Sequence, residues 1–372
     1  MIRVLFTGGG TGGHVYPLIA VARAIRRIKP DTELYFLGPT NFGREALAKE
    51  GITVYRLITG KLRRYADPRS VLDFVKMPVG FLQALVTLFW VMPDVIFSKG
   101  GYGSVPVVLS GRLYRIPVII HESDALPGFA NAALARFAGQ ILIAFPEARN
   151  GFRVKEQTKV FLAGNPVRSQ LFLPVSPAPP AKSSVASLPT LLVLGGSQGA
   201  ERLNDLLLEA LPELLKDFIV IHQAGPQNVE RVKREGQRLI PKELLPSWRP
   251  AGFLEEADLA AAYAGAACII SRAGAGAVFE IAESAKPSIM IPLTAGSRGE
   301  QIKNAYAYAR AGGTLVLEET NLTPHIFIKA VRDLMADGAR REKMSAAAKK
   351  FATPEAAETI AEAITGASGA AS

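Results

Sequence analysis

The run Gly8-Gly9-Gly10-Thr11-Gly12-Gly13-His14 puts five glycines, a hydroxyl and an imidazole into seven residues. Glycines let a ligand approach the backbone, and the N–H groups at a helix start attract phosphate. Two further turns are of the same kind, Lys99-Gly100-Gly101-Tyr102-Gly103-Ser104 and Gly195-Gly196-Ser197-Gln198-Gly199. Each follows an apolar run that reads as a strand, the place where α/β sheets bind ligands. Together they point to two anionic ligands, one in each half of the chain. His14 closes the first turn at a predicted helix N-terminus, which disfavours imidazolium and leaves a neutral ring suited to a general base. The other reading of His14 is a loop cap or a phosphate donor. Asp124, three residues past His121, is the competing base.

Several chemistries are disfavoured by what accompanies these turns. The first matches GxGxxG, but a dinucleotide site also wants an acid at the end of the second strand. That strand ends Phe36-Leu37-Gly38-Pro39. There is no GxxxxGK[ST] run, so a P-loop ATPase is disfavoured. His14, His121, His222 and His325 lie far apart, which argues against a zinc cage. The single cysteine, Cys268, excludes an internal disulfide and fits a reducing compartment. No DxD pattern is present; backbone N–H groups and an arginine are expected to steady a departing diphosphate, with no cofactor and no tightly bound metal.

The elements that must hold these residues alternate along the chain. Residues 2–7, 34–37, 53–57, 95–98 and 118–121 read as buried strands, with helices over 17–28 and 104–114. The pattern restarts after residue 189, with strands at 190–194, 218–222, 268–271 and 288–291. Such alternation predicts parallel, doubly wound sheets. Between Pro174 and Pro189 five prolines and four serines read as a linker. The expected organisation is an N-terminal lobe over 1–168, a linker over 169–189, and a C-terminal lobe over 190–352, with a cleft between the lobes. Residues 353–372 form a C-terminal helix and tail, with packing back onto the N-terminal lobe left open.

With 49% hydrophobic and 20% charged residues, the 372-residue chain can bury large cores. Its net charge of +10 is uneven. Residues 1–168 hold 22 Lys and Arg against 11 Asp and Glu, and the remainder is close to neutral. A phosphorylated ligand or an anionic membrane accounts for such asymmetry. Nucleic acid is disfavoured, because no RNP-like, zinc-finger or basic-zipper pattern occurs. The segment 77–93, MPVGFLQALVTLFWVMP, carries no charge and is broken by Pro78 and Gly80. Preceded by Arg56, Lys61, Arg63, Arg64, Arg69 and Lys76, it reads either as a surface that sits on a membrane or as a core helix.

The ordered set GGGTGGHVYPLIAVA, KGGYGSVP, HESDALPGFAN, GNPVR, GGSQGAERLN, SRAGAGAVFEIAESAKP and EQIKNA closely resembles the MurG family over nearly the whole chain. The resemblance implies a GT-B glycosyltransferase that moves N-acetylglucosamine from UDP-N-acetylglucosamine. The acceptor would be undecaprenyl-diphosphoryl-N-acetylmuramoyl-pentapeptide, met by a peripheral enzyme on the cytoplasmic face of the membrane. It further implies a single in-line displacement with inversion. By the same resemblance Thr11, Gly12 and Gly13 match donor-site positions in the first turn. Tyr102 belongs to the second turn and is counted with the substrate-binding residues. Arg168 and Ser197 match residues near the donor diphosphate and sugar. Leu254 matches the position whose backbone meets uracil. Ala275, Gly276, Ala277, Val278, Phe279 and Glu280 match the stretch under the nucleoside, Glu280 suited to a bidentate grip on ribose hydroxyls; the other reading of Glu280 and Arg168 is a buried structural ion pair. Gln301 matches a hydrogen-bond partner of the donor sugar.

Departures from the family pattern fall at Asp124, where Asn is usual and where substrate oxygens are expected, at Gly276 and Phe279, and over 293–296. Rival readings are another lipid-acceptor GT-B glycosyltransferase, a sugar-nucleotide epimerase of the same fold, and an inactive nucleotide-binding lobe. Intact His14, Glu280 and Gln301 argue against the last.

Overall fold

The computed structural model describes residues 2–10, 12–39, 43–60, 69–173, 188–196, 200–294 and 299–369, and side chains over 69–75 are not described. The chain forms two compact units. Unit 1 contains Met1–Val167 and Thr353–Ser372, and unit 2 is Arg168–Ala352.

In unit 1 the strands are β1 (Arg3–Thr7), β2 (Glu33–Gly38), β3 (Thr53–Arg56), β4 (Val95–Ser98), β5 (Val118–Glu122), β6 (Gln140–Ile143) and β7 (Val160–Leu162). All pair in parallel, in the order β3-β2-β1-β4-β5-β6-β7. The order reverses between β1 and β4, and the first two glycine turns leave those two strands. A doubly wound sheet opens a ligand crevice at such a point. Helices α1 (Gly12–Ile28), α2 (Arg44–Lys49), α3 (Arg69–Val91), α4 (Ser104–Leu113) and α5 (Phe129–Leu134) cover the sheet. Alternate strand residues feed separate cores on its two faces, Val4 and Phe6 on one and Leu5 and Leu37 on the other.

Helix α1 starts five residues before the expected position at Pro17. The ring is held inside the helix, and Gly13, whose carbonyl loses the N–H that proline lacks, is exposed to solvent. Helix α3 has two faces over the segment 77–93. Ala84, Leu88 and Val91 are buried in the core, three to four residues apart. Leu82, Val86, Phe89 and Trp90 are exposed, Trp90 by 78%. The segment is core along one stripe and an open apolar surface along the other. No helix among the described residues is long and apolar enough to cross a membrane.

In unit 2 the strands are β8 (Thr190–Leu194), β9 (Ile219–Gln223), β10 (Trp248–Ala251), β11 (Ala266–Ser271), β12 (Ser288–Met290) and β13 (Leu315–Val316). They too are parallel, ordered β10-β9-β8-β11-β12-β13, with the reversal between β8 and β11. The helices are α6 (Glu201–Leu214), α7 (Val229–Leu239), α8 (Glu256–Gly265), α9 (Ala275–Glu283), α10 (Glu300–Arg310), α11 (Pro324–Ala336) and α12 (Gly338–Phe351). The start of the expected linker is ordered instead. Ser169–Phe172 form a turn of 3-10 helix, with Leu171 buried and Phe172 against Tyr263 at 5.6 Å between ring centres. Apolar residues at 171 and 172 find this hydrophobic seat before the prolines begin. Residues 174–187 of the expected linker lie outside the described residues.

The last helix, α13 (Ala356–Gly369), belongs to unit 1 and packs against α1. Its Ile360, Ala361 and Ile364 are fully buried in the core that holds Leu18 and Ile25, and Arg27 pairs with Glu358 at 2.7 Å. Ile360→Ala is therefore expected to cost unit 1 about 2–5 kcal/mol. Urea denaturation followed by fluorescence measures that loss, while nucleotide affinity, read in the same preparation, stays within twofold of the parent.

Candidate functional site

The unit 1 site is built at the carboxyl ends of β1, β4 and β5. The His14 imidazole lies over Gly9 so closely that a Cβ there would stand 2.9 Å from its Cε1. Gly100 and Gly101 both turn with φ +79°, and a Cβ on Gly101 would come within 3.2 Å of Gly9 Cα and 3.5 Å of His14 Nε2. The two turns thus enclose the ring between backbone surfaces that only glycine permits. His14 is half-buried, and loss of water lowers its pKa to about 4, with the nearby Lys99 ammonium as the second cause. The lowered pKa runs in the direction expected from the helix start, with burial and Lys99 as its causes.

Strand β5 ends in His121-Glu122, followed by Ser123 and Asp124. The buried Glu122 carboxylate accepts from the backbone N–H of Asp124 at 3.0 Å, from that of Gly128 at 2.8 Å, and from Asn131 Nδ2 at 2.9 Å. It shapes the turn that carries the half-buried Asp124. Burial and, secondarily, Asp124 push the Glu122 pKa up to about 7. Sequence reasoning passed over Lys99, Glu122 and Ser123. Lys99 is buried at 4% exposure, with Nζ 2.7 Å from His121 Nδ1 and bonded to Ser123 Oγ. The signal that could have found it was a lysine directly after an apolar strand, inside a glycine turn.

Tyr102 borders a mostly apolar cavity of about 420 Å³, walled also by Ile58, Met77, Phe81, Val105 and Leu109. Gly12 is buried and Gly13 exposed at the start of α1. Thr11 lies outside the described residues, as do Lys61, Arg63 and Arg64 of the basic rim.

The unit 2 site gathers around the β11–α9 turn. Gly274 precedes α9 with no side-chain cap, and a Cβ on Gly274 or on Gly276 would meet nothing within 4 Å. The N–H groups of Ala275, Gly276 and Ala277 have no intrahelical acceptor, so this helix start offers donors to an anion. Val278 and Phe279 turn inward. Both side chains are buried, Phe279 against Phe351 at 5.3 Å, and only their backbone can serve a ligand. Their positions on the inner face of α9 are those a core helix fills with apolar groups.

Glu280, one turn further, is already engaged. Arg168 donates to its Oε1 from Nε at 3.1 Å and from Nη2 at 2.9 Å, and Tyr263 donates to Oε2 at 3.3 Å. A carboxylate has about four acceptor positions, so three protein donors leave room for about one ribose hydroxyl. The bidentate grip expected from the sequence therefore requires Arg168 or Tyr263 to move.

Gln223, at the end of β9, joins two expected contact points. Its Oε1 accepts from Leu254 N at 3.2 Å, and its Nε2 reaches Gly196 O at 3.5 Å. Gln301 Oε1 accepts from Leu293 N at 2.9 Å, which holds the loop at 293–294 to α10. Asn304 ties α10 to the β11–α9 turn through Ala273 O at 3.1 Å. Ser197 and residues 295–298 lie outside the described residues.

Two parallel sheets, each with a glycine turn where its strand order reverses, have the architecture of the GT-B glycosyltransferases. The glycosyltransferase family 28 N-terminal domain matches residues 4–143, and the family 28 C-terminal domain matches residues 190–360. A UDP-N-acetylglucosamine–N-acetylmuramyl-(pentapeptide) pyrophosphoryl-undecaprenol N-acetylglucosamine transferase of Treponema denticola is 34% identical, over 96% of both chains. One from Bacillus cereus is 36% identical, over 97% of this chain and 98% of the relative. The chain belongs to glycosyltransferase family 28 and, within it, to the MurG transferases. The crystal structure of Acinetobacter baumannii MurG superposes with a TM-score of 0.73 at 27% identity, covering 98% of this chain and all of that one. A Staphylococcus aureus MnaA–UDP structure reaches 0.72 at 13% identity, which shows the shared fold alone.

Glu280→Gln keeps the side chain's shape and removes its charge. It is expected to lower stability and weaken UDP binding, each by about 1–3 kcal/mol. Thermal melting and titration calorimetry on one preparation separate the two effects. A loss of stability with unchanged UDP affinity would reduce Glu280 to the partner of Arg168.

Proposed function

We propose that this chain transfers N-acetylglucosamine from UDP-N-acetylglucosamine to the 4-hydroxyl of an undecaprenyl-diphosphate-linked muramoyl peptide, the step from lipid I to lipid II in peptidoglycan synthesis. The carrying observation is identity of 34% and more, over almost the full length, to relatives named for that transfer. Likeness to epimerases stays at 13–15% identity and speaks only for the fold.

Unit 2 takes the donor. The α9 start supplies N–H groups and Arg168 a guanidinium, donors suited to the charge that grows on a departing UDP. Glu280 meets ribose, Leu254 meets uracil through its backbone, and Gln301 meets the sugar. Gly12 and Gly13 of unit 1 complete the donor-site positions, together with Thr11 and Ser197. Attack in line on the α-linked sugar gives a β-linked product.

Unit 1 takes the acceptor. His14 removes the hydroxyl proton, and Asp124 is the alternative base. A ring with a pKa of about 4 is unprotonated at pH 7 but only weakly basic. A diphosphate arriving at the glycine turns brings negative charge that opposes Lys99 and raises the basicity of His14. The acid limb of kcat, which reports the complex, is thus expected at higher pH than that of kcat/KM, which reports the free enzyme. The apolar cavity beside Tyr102 suits part of the prenyl chain.

The assay is release of UDP together with formation of the disaccharide lipid; a different lipid acceptor consumed in its place would favour the rival glycosyltransferase. In that assay His14→Ala should lose about 10²- to 10⁴-fold in turnover with UDP-sugar affinity retained. Near-normal turnover in His14→Ala, with collapse confined to Asp124→Asn, would move the base to Asp124.

Peripheral attachment to the cytoplasmic face of the membrane follows the apolar stripe of α3. Phe89→Ser with Trp90→Ser should weaken binding to phosphatidylglycerol vesicles at least tenfold, as loss of buried apolar surface implies. Binding should also weaken as salt rises, through the basic residues of unit 1. Flotation at two salt concentrations measures both effects, and equal binding by the variant would return α3 to a purely structural role.

A further inference from the structure

Lys99 follows β4 directly and carries its ammonium into the protein. Its backbone N–H donates to Thr7 O at 2.9 Å, which fixes it beside the end of β1. Nζ donates to Ser123 Oγ and stands 2.7 Å from His121 Nδ1, while His121 Nε2 lies 2.9 Å from Gly164 O. A carbonyl oxygen only accepts. Nε2 therefore carries the ring proton, Nδ1 is the acceptor, and Lys99 is its donor. Donation runs from Lys99 through His121 to Gly164, with a branch to Ser123.

The titratable groups that act on Lys99 come from two elements. His14 faces it from α1; His121, Glu122 and Asp124 face it from β5 and the turn beyond. Burial draws the ammonium down to about 7, and the fields of Glu122 and Asp124 work the other way. The carboxylate at 124, where the MurG pattern usually has an amide, thus stands within electrostatic reach of a buried cation. The same cation is the second cause that keeps His14 unprotonated.

On the transferase reading above, we propose that Lys99 is a positioning residue of the reaction: its ammonium fixes the His121–Asp124 segment against the second glycine turn and matches the charge that Asp124 brings to the His14 site. Lys99 and Asp124 then act as one unit. Losing the cation alone leaves the Asp124 charge uncompensated beside the base, whereas losing both removes that imbalance and leaves Glu122 on its own N–H donors.

The experiment compares Lys99→Met, Asp124→Asn and the double variant for turnover, for both KM values and for the pH dependence of kcat/KM. UDP affinity and thermal stability are measured on the same preparations. Lys99→Met should lose on the order of 10- to 100-fold in kcat, a part of what a general base contributes. UDP affinity should stay within twofold, because Lys99 is not among the donor-site positions. Removing a positive neighbour raises the His14 pKa, so the acid limb must move to higher pH, a change that a purely structural lysine would not cause. The double variant should lose at least tenfold less than the product of the two single losses.

Unimpaired turnover in Lys99→Met overturns the proposal, and so do multiplicative losses with an unmoved acid limb. Should Lys99→Met fail to fold, nitrogen NMR of the histidines in the unaltered protein decides. His121 protonated at Nε2 with Nδ1 accepting supports the arrangement, and the opposite tautomer ends it. An unaltered protein that consumes no lipid acceptor refutes the transfer reading instead, and the NMR result stands apart from that.

Discussion

Gly9 and Gly101 meet with no space for a side chain on either, and the chemistry of unit 1 depends on that approach. At the ends of the paired strands β1 and β4 it encloses the His14 ring, within electrostatic reach of Lys99. An atom added at Gly9 would meet the imidazole, and one added at Gly101 would press on Gly9. The same closeness excludes water from His14 and Lys99, which is why burial leads the causes acting on both. Geometry and electrostatics there have one origin.

Unit 2 meets a comparable demand by other means. Its candidate anion-binding face is a helix start with open space above it, and two charged pairs near it are held back from water by pairing with each other. Arg168 and Glu280 form a largely buried pair at 2.9 Å. Arg272 and Glu319 form another, and Arg272 also donates to Ile291 O at 3.0 Å. Buried pairs of this kind add little net stability, but they fix where a guanidinium points. For the diphosphate proposed to bind there, a guanidinium held in place by a carboxylate would need less reorganisation on arrival.

The central strands and glycine turns were legible in the sequence because their signals are local: apolar runs of strand length that end in residues without side chains. Strands β6, β7, β10 and β13 were not, although the edge strand β3 was. β6 and β7 are short, β10 contains Pro250, and β13 has two residues, so pairing partners rather than propensity define them. In the site, Gly12, Gly13, His14 and the helix start at 275–277 could be placed from spacing and from resemblance to a family. Lys99, Glu122 and Gln223 could not, since Lys99 and Gln223 act by contacts across adjacent strands and Glu122 by gathering the N–H groups of an irregular turn. Val278 and Phe279 show the converse limit. A motif marks a stretch of chain, while helical periodicity decides which of its side chains face the core.

The return of α13 to unit 1 makes unit 2 an insertion within its neighbour. Unit 2 is continuous from Arg168 to Ala352 and can complete its core as soon as that stretch has left the ribosome. Unit 1 cannot. Its sheet is synthesised first, but the groove beside α1 that Ile360 and Ile364 fill stays open until α13 emerges, after the whole of unit 2. The part of the chain made first is thus finished last. During synthesis the nascent protein carries an unsealed apolar seam, on the unit whose outer helix also presents Phe89 and Trp90. A nearby bilayer or a chaperone would find its first foothold there.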